Sequence, residues 1–266
     1  MTMEKKISRL SIIISLFLSS IILLAEEITV TKKDGGTVRA NFVKVDPNGD
    51  IWIKQGAVQQ KIKSVDYSYA RLKDKPAEID SAEKALAAKD FAKAATAFAD
   101  AYQKYKFVGF DVLCIYGEAS ALAGQGKKVE AINRLKTLDG YELLDEEKTV
   151  EYYDAKKLLA TLLIDESKFD DALKVLAQLG QANDDDIAAF GFNSRGDILL
   201  KQNNKKDAVL MFLRTALLFP KENKERPYAL LQIANTLKEM KDNRGSTFAE
   251  MLKTDYPGNP LIAQLK

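Results

Sequence analysis

The chain has 266 residues, of which 46% are hydrophobic and 29% are charged, a composition typical of folded proteins and not of disordered ones. It contains no histidine, which excludes Ser-His-Asp triads, Cys-His pairs and histidine-ligated zinc. The formal net charge is only +2 and the lysines are dispersed among acidic residues, which argues against nucleic acid as a partner.

The N-terminus has the layout of a secretory signal peptide, predicted to comprise residues 1–25. Two lysines and an arginine precede an apolar run from Leu10 to Ala25 that ends in a small residue. The run has 16 residues, four of them serine, and is short for a membrane span, which needs about 20 apolar residues. We expect cleavage near Ala25 and export to the periplasm, cell envelope or exterior; an uncleaved membrane anchor is the alternative. Cleavage would leave 37 basic and 37 acidic residues, a formally neutral chain.

Residues 26–68 are predicted to form a small β-domain. The segments ITVTKK, TVRANFVKV, IWIK and AVQQKIKSV are rich in β-branched residues and partly alternating, and the turn sequences DGG and DPNGD join them. Four or five strands in so short a segment favour a small barrel or a strongly bent sheet, because an open sheet of this size would leave unprotected edges. The pattern resembles the SH3-like and Sm-like small barrels.

A linker is expected at residues 69–80, where the chain is polar and mixed. Pro76 interrupts it, and Asp80 followed by Glu83 has the spacing of a capping box at the start of a helix.

From residue 81 onward the pattern is helical and repeats. An alanine is followed four positions later by phenylalanine or leucine in four places: Ala94 with Phe98, Ala131 with Leu135, Ala172 with Leu176, and Ala208 with Phe212. The alanines are 37, 41 and 36 residues apart. Each pair is preceded by another small residue: Ala82, Ala119, Ala160 and Gly196. This pattern indicates two helices per unit, crossing closely where the side chains are short.

A period near 34 residues with this signature resembles the tetratricopeptide repeat (TPR), over residues 81–258. The fourth copy carries the most of the pattern: Phe192, Gly196, Leu199, Ala208, Phe212 and Pro220. The resemblance implies a mainly α protein, an α-solenoid of about five TPR-like helical hairpins preceded by the small β-barrel-like domain. In the fourth copy we expect Leu213, Leu217 and Leu218 to meet the next repeat.

Residues 259–266 are expected to cap the stack. The final sequence LKTDYPGNPLIAQLK resembles the YP-x-x-P close of bacterial periplasmic repeat proteins.

The resemblance also implies a concave groove built mainly from the first helix of each unit, a surface that binds peptides or partner proteins. The implied groove positions are Tyr116, Ser120, Asp154, Lys157, Thr161, Phe190, Asn193, Asp197, Tyr228 and Asn235. Aromatic residues among polar ones suit such a groove, although each of these residue types is also common on an exposed helix face.

No motif for catalysis, metal binding or cofactor binding stands out. The glycine-bearing turns AGQGKK and DGG do not match a phosphate loop. The acidic run from Asn183 to Ile187 is typical of a helix N-terminus, and Cys114 has the apolar context of a buried core residue. We therefore expect no enzymatic activity, no cofactor and no metal.

These observations favour a non-enzymatic interaction scaffold or adaptor of the bacterial cell envelope that binds a protein or peptide. Two alternatives remain open. One is a self-associating structural component of the envelope, and the other is a cell-wall hydrolase that uses surface carboxylates.

Overall fold

The computed structural model describes residues 26–140, 150–180, 182 and 184–266. The predicted signal peptide, residues 1–25, lies outside the described residues. Within those ranges, no helix combines the length and the apolar character needed to cross a bilayer.

The described chain begins with a five-stranded antiparallel sheet. Its strands are β1 Glu27–Lys32, β2 Thr37–Val45, β3 Ile51–Gln55, β4 Val58–Ile62 and β5 Tyr67–Leu72. The spatial order is β4-β3-β2-β1-β5, and the pairing of β2 with β3 shifts register between Phe42 and Lys44. Because β4 and β5 form the two edges, the sheet is open, which corrects the expectation of a barrel-like domain.

Helices rather than strand closure cover the inner face of this sheet. Ile28, Val30 and Ile53 share one core with Phe98 and other side chains of the first helices. The Tyr105 hydroxyl donates toward the carboxylates of Glu78 at 3.0 Å and Glu26 at 3.2 Å. A sheet that buries its apolar face against helices does not need to close on itself.

The predicted linker, residues 69–80, is wrong at both ends. Strand β5 continues to Leu72 and the first helix begins at Ala77, so only residues 73–76 connect the two. Asp80 does not cap the helix; it and Glu83 form ion pairs with Lys75. The helix begins earlier because Pro76, with φ fixed near −60°, already directs the chain into its first turn.

Ten helices follow in the described ranges, arranged as five hairpins. They are α1 Ala77–Ala87, α2 Phe91–Tyr105, α3 Asp111–Gly124, α4 Lys128–Lys136, α5 Val150–Asp165, α6 Phe169–Leu179, α7 Asp185–Lys201, α8 Lys205–Leu218, α9 Arg226–Glu239 and α10 Gly245–Asp255. The prediction of about five helical hairpins is confirmed. Asp184 accepts a hydrogen bond from the Ile187 amide at 3.0 Å, so the acidic run does cap α7.

Small residues let the two helices of a hairpin approach closely. Ala94, Ala131, Ala172 and Ala208 are all fully buried. At Gly196 an added Cβ would lie 2.6 Å from the ring of Phe212 in the paired helix. The repeating pattern is therefore a packing requirement between α7 and α8 and between their counterparts.

The same turn joins the two helices of every hairpin. One residue in each turn has positive φ, between 56° and 77°: Lys89, Gly126, Ser167, Asn203 and Lys241. The amide of the next residue bonds back to a carbonyl in the last turn of the preceding helix, as Asn204 does to Leu199 at 2.8 Å. This is the left-handed ending typical of helix C-termini, and it reverses the chain within three to five residues.

The first helices of the hairpins form one layer. Each packs against the first helix of the next hairpin, from α1 through α3, α5, α7 and α9, and contact between successive second helices is much weaker in the described chain. The first helices therefore lie on the inner, tighter side of the stack.

Two expectations about the C-terminal half have different outcomes. Residues 259–266 fold back on α9, where Asn235 donates to the Gln264 carbonyl at 3.0 Å and accepts from the Lys266 amide at 2.9 Å. Leu217 and Leu218 do not meet the next repeat as predicted. They are 66% and 69% exposed, whereas Ala216 and the partly buried Leu213 belong to the core that α8 shares with α9.

Candidate functional site

A cavity of about 250 Å³ opens on the inner layer between α5, α7 and α9. Helix α5 contributes Thr161, Ile164 and Asp165 to its lining, and α7 contributes Phe190, Asn193, Ser194, Asp197 and Lys201. Glu225, which immediately precedes α9, and Tyr228 in its first turn complete the wall. Three consecutive hairpins therefore meet at this cavity.

Helical spacing explains why α7 supplies half of the wall. Phe190, Asn193 and Asp197 follow one another at intervals of three and four residues, so they lie on one face of the helix. Ala189 and Ile198 lie on other faces and are buried in the stack. The face left for the cavity carries one aromatic ring and polar groups.

A hydrogen bond between α9 and α7 holds one part of the cavity wall in place. The Tyr228 hydroxyl donates to Oδ1 of Asp197 at 2.8 Å. Burial raises the pKa of Asp197 to about 6, against the hydrogen bond from Tyr228 and the charge of Lys201, which both lower it. Burial together with the Asp197 charge also raises the pKa of Tyr228, so this hydroxyl remains a donor.

A second polar contact joins α7 to the residue before α9. The amide nitrogen of Asn193 donates to the Glu225 carbonyl oxygen at 3.0 Å and to its carboxylate at 3.2 Å. Two acceptors at this position fix the orientation of the Asn193 amide, because its oxygen would be repelled there. Burial raises the pKa of Glu225, against the Asn193 hydrogen bond and the charge of Lys157.

The amide oxygen of Asn193 has no hydrogen-bond partner. Asn193 is only 2% exposed, and its Oδ1 is one of the two buried side-chain atoms without a partner in the described chain. A buried polar atom left unpaired costs about 1–3 kcal/mol of stability, so this acceptor is an unusual feature of the wall.

Half of the predicted groove residues line this cavity: Thr161, Phe190, Asn193, Asp197 and Tyr228. Asp154 and Lys157 lie on α5, about two turns and one turn before Thr161 respectively, and form an ion pair with each other at 2.8 Å. These five residues and this pair share the inner layer.

Three predicted positions lie elsewhere. Tyr116 and Ser120 are half-buried on α3, away from the cavity. Asn235 is hydrogen-bonded on both sides of its amide by the C-terminal segment, and it lines a different cavity beside α10.

Five lining residues were not among the predicted positions: Ile164, Asp165, Ser194, Lys201 and Glu225. Of these, only Glu225 lies outside a helix. It belongs to the connection before α9 and was not counted among helix positions, yet it faces α7. The signal available was Pro227, which marks the first turn of α9 and places Glu225 at its N-terminal boundary.

Two features of the described residues bear on metal binding and catalysis. No group of three or more potential metal ligands is found among them. Cys114 is fully buried, and this burial raises the pKa of its thiol to about 12, so the thiol is not a nucleophile at neutral pH.

No protein-family model matches the sequence, and no curated protein matches it. Solved structures do match in shape. A tetratricopeptide repeat protein from Parabacteroides merdae superposes with a TM-score of 0.52 at 14% identity, covering 71% of this chain and 70% of that one. The described helical region has the tetratricopeptide-repeat fold.

Two further TPR-like neighbours were solved with bound molecules. A Rap protein complexed with Competence and Sporulation Factor has a TM-score of 0.54 and 15% identity, over 71% of this chain. PlcR from Bacillus thuringiensis, in complex with the peptide PapR7 and DNA, has a TM-score of 0.52 and 10% identity, over 70% of this chain and 71% of PlcR. This chain spans 56% of the length of that Rap protein. At these identities the likeness concerns the fold alone.

Proposed function

We propose that this protein is a non-enzymatic interaction scaffold that binds an extended peptide, or an exposed segment of a partner protein, along the inner layer of its TPR stack. The observation that carries the proposal is the cavity between α5, α7 and α9, where five of the groove residues implied by the family resemblance meet. Its wall combines the Phe190 ring with the polar side chains of Asn193 and Asp197. Such a combination supplies apolar contact area together with directional hydrogen bonds, as peptide-binding grooves do.

The peptide complex of PlcR supports this proposal by showing that a fold of this kind accommodates a peptide. Nucleic acid is not the proposed partner, because the chain carries 40 basic and 38 acidic residues and so has almost no excess positive charge.

Export to the bacterial envelope is part of the proposal and rests on the sequence of residues 1–25. The intact mass of the protein recovered from a bacterial host tests it. The expected mass is that of a chain beginning at Glu26, found outside the cytoplasm. Recovery of the full-length chain from the cytoplasm would contradict export.

The sheet provides a second contact surface in this proposal. Strand β4 is an edge strand whose first four residues are exposed, so its unpaired backbone groups are available to an added strand.

Blocking the groove with a bulky side chain tests whether peptides bind there. Thr161 is exposed at the mouth of the cavity and its hydroxyl donates only within its own helix, to the Lys157 carbonyl at 2.9 Å. Replacing it with tryptophan adds bulk there without disturbing the core. Thr96 is the matched control, because it is also exposed and its hydroxyl donates to the Ala92 carbonyl at 3.2 Å, but it lies on the second helix α2.

The purified protein, Thr161→Trp and Thr96→Trp are each used to select binders from a library of displayed random peptides. We expect the wild type and Thr96→Trp to select the same peptides, and Thr161→Trp to bind them at least about tenfold more weakly. Selected peptides that bind all three proteins equally would contradict the proposed groove.

A further inference from the structure

The cavity between α5, α7 and α9 contains two carboxylates without a counter-ion. In the described chain, no Lys or Arg nitrogen lies within ion-pair distance of Asp197 or Glu225. The cations nearby are engaged elsewhere: Lys157 pairs with Asp154 at 2.8 Å, and Lys128 pairs with Asp165 at 2.9 Å. Lys201 also lines the cavity and is the one cation that acts on Asp197 through its charge.

The buried hydrogen-bonding groups of the wall use their donors within the protein and leave acceptors unpaired. The Tyr228 hydroxyl already donates to Asp197, and the Asn193 amide nitrogen already donates to Glu225. Besides the Lys201 ammonium and the Ser194 hydroxyl, which also line the cavity, the groups that remain are acceptors: the second oxygen of each carboxylate and the unpartnered Oδ1 of Asn193, a side chain that is 98% buried. A ligand that pairs with these three acceptors must bring hydrogen-bond donors.

We propose that this cavity receives one cationic side chain, a lysine or an arginine, from the segment bound in the groove. This inference rests on the proposed function and specifies its ligand. The ammonium or guanidinium group lies between Asp197 and Glu225, and the aliphatic stem packs along Phe190 and Ile164. The cavity of about 250 Å³ is below the range of about 300–1,000 Å³ usual for drug-sized ligands, which fits a single long side chain.

An anionic side chain does not fit the same wall. It would meet Lys201 but also two carboxylates at close range, and like charges in a half-buried site disfavour binding.

If a cation binds between the two carboxylates, its affinity should depend on pH. Each has a raised pKa because burial disfavours its charge, and a bound cation would reverse that effect. The charged and polar groups that act on them are Tyr228, Lys201 and Glu225 for Asp197, and Asn193, Lys157 and Asp186 for Glu225. The cation should therefore bind more tightly at pH 7.5 than at about pH 5, where Asp197 is protonated.

The test uses the displayed peptide library with the purified wild type, Asp197→Asn, Glu225→Gln and a control, Asp100→Asn. Asp100 is an exposed carboxylate on α2, remote from the cavity in sequence and on the outer layer. We expect wild-type binders to share one lysine or arginine, and norleucine at that position to lower their affinity about tenfold or more. Asp197→Asn and Glu225→Gln should each weaken the same peptides, with no change for Asp100→Asn, and affinity should fall between pH 7.5 and pH 5.

The outcomes separate this inference from the proposed function. Two results would contradict the cation site but not the groove. In the first, Thr161→Trp blocks the selected peptides but they share no cationic residue. In the second, the peptides bind Asp197→Asn and Glu225→Gln as tightly as the wild type. A library that yields no peptide blocked by Thr161→Trp would overturn both. Enrichment of lysine alone or arginine alone identifies which cation the cavity accepts.

Discussion

The Tyr228 hydroxyl donates a 2.8 Å hydrogen bond to Oδ1 of Asp197 and so joins the first helices of the fourth and fifth hairpins at the floor of the candidate groove. The acceptor is a half-buried carboxylate that has no ion-pair partner in the described chain. Hydrogen bonds to charged groups contribute about 1.5–3 kcal/mol, more than bonds between neutral groups. This contact therefore stabilises the stack and keeps a negative charge at the groove.

We predict that Tyr228→Phe destabilises the protein by about 1–2 kcal/mol at pH 7.5. The loss should be smaller at pH 4.5, where Asp197 is protonated and the bond no longer involves a charge. Urea unfolding at both pH values measures the difference, and Tyr116→Phe on α3 is the control. An equal loss at the two pH values would show that the contribution of the hydroxyl does not depend on the charge of Asp197.

Asp197→Asn should stabilise the protein at neutral pH. The folded-state pKa of Asp197, about 6, is above the ordinary value of 3.8, so the folded state holds the proton more tightly than the unfolded state. Stability from this group is present below pH 3.8 and is lost as the pH rises toward 6. Because the side chain is half-exposed, we expect a gain on the order of 1 kcal/mol at pH 7.5 and none at pH 3.5.

The same unfolding measurements test that gain. If Asp197→Asn proves less stable than the wild type at pH 7.5, the carboxylate is better solvated than its burial indicates. The burial of the Asp197 charge would then no longer argue for the proposed cation site.

Two glycines on α7 should respond to alanine in opposite directions. An added Cβ at Gly196 would lie 2.6 Å from the Phe212 ring, whereas at Gly191 the nearest atom, the Leu176 carbonyl oxygen, is 3.8 Å away. Gly191→Ala should therefore stabilise the protein by about 0.5–1 kcal/mol through helix propensity. Gly196→Ala should destabilise it by about 1–3 kcal/mol through overpacking.

Thermal unfolding of both variants checks this pair. Phe212→Leu, combined with Gly196→Ala, should recover part of the loss because the smaller side chain makes room. Stabilisation by both alanines would contradict the close crossing of α7 and α8.

The turns between paired helices offer a further test. Gly126 has φ of 77° and no atom within 4 Å of an added Cβ, so Gly126→Ala should cost about 1 kcal/mol through backbone strain alone. Ser167 occupies the equivalent position with φ of 56°, and Ser167→Gly should gain several tenths of a kcal/mol. Urea unfolding of the two variants should show these opposite signs; a stabilising Gly126→Ala would contradict the common turn geometry.

The repeat could be predicted from the sequence because its signals are local. Ala94 and its three counterparts sit where two helices cross, and the spacing from Ala208 to Phe212 places both on one helix face. The resemblance to the TPR family implied Thr161, Asn193 and Asp197 as groove positions. They meet in one cavity because α5 and α7 pack as neighbouring first helices.

The rest depended on contacts between parts of the chain far apart in sequence. Strand β5 was missed because Tyr67–Leu72 reads as polar, and it is a strand only because it pairs with β1. Glu225 joins the site from a connecting segment, and Asn235 leaves it because residues 259–266 fold over it. Neither outcome is encoded in the local pattern.

The most direct test of the central claim is a photo-crosslinker placed at the mouth of the cavity. A benzophenone amino acid replaces Thr161 in one protein and Thr96 in the other, and each is irradiated with peptides selected by the wild type. The account predicts a covalent peptide adduct at position 161 and none at position 96. Adducts at both positions, or at position 96 alone, would contradict a binding groove on the inner layer.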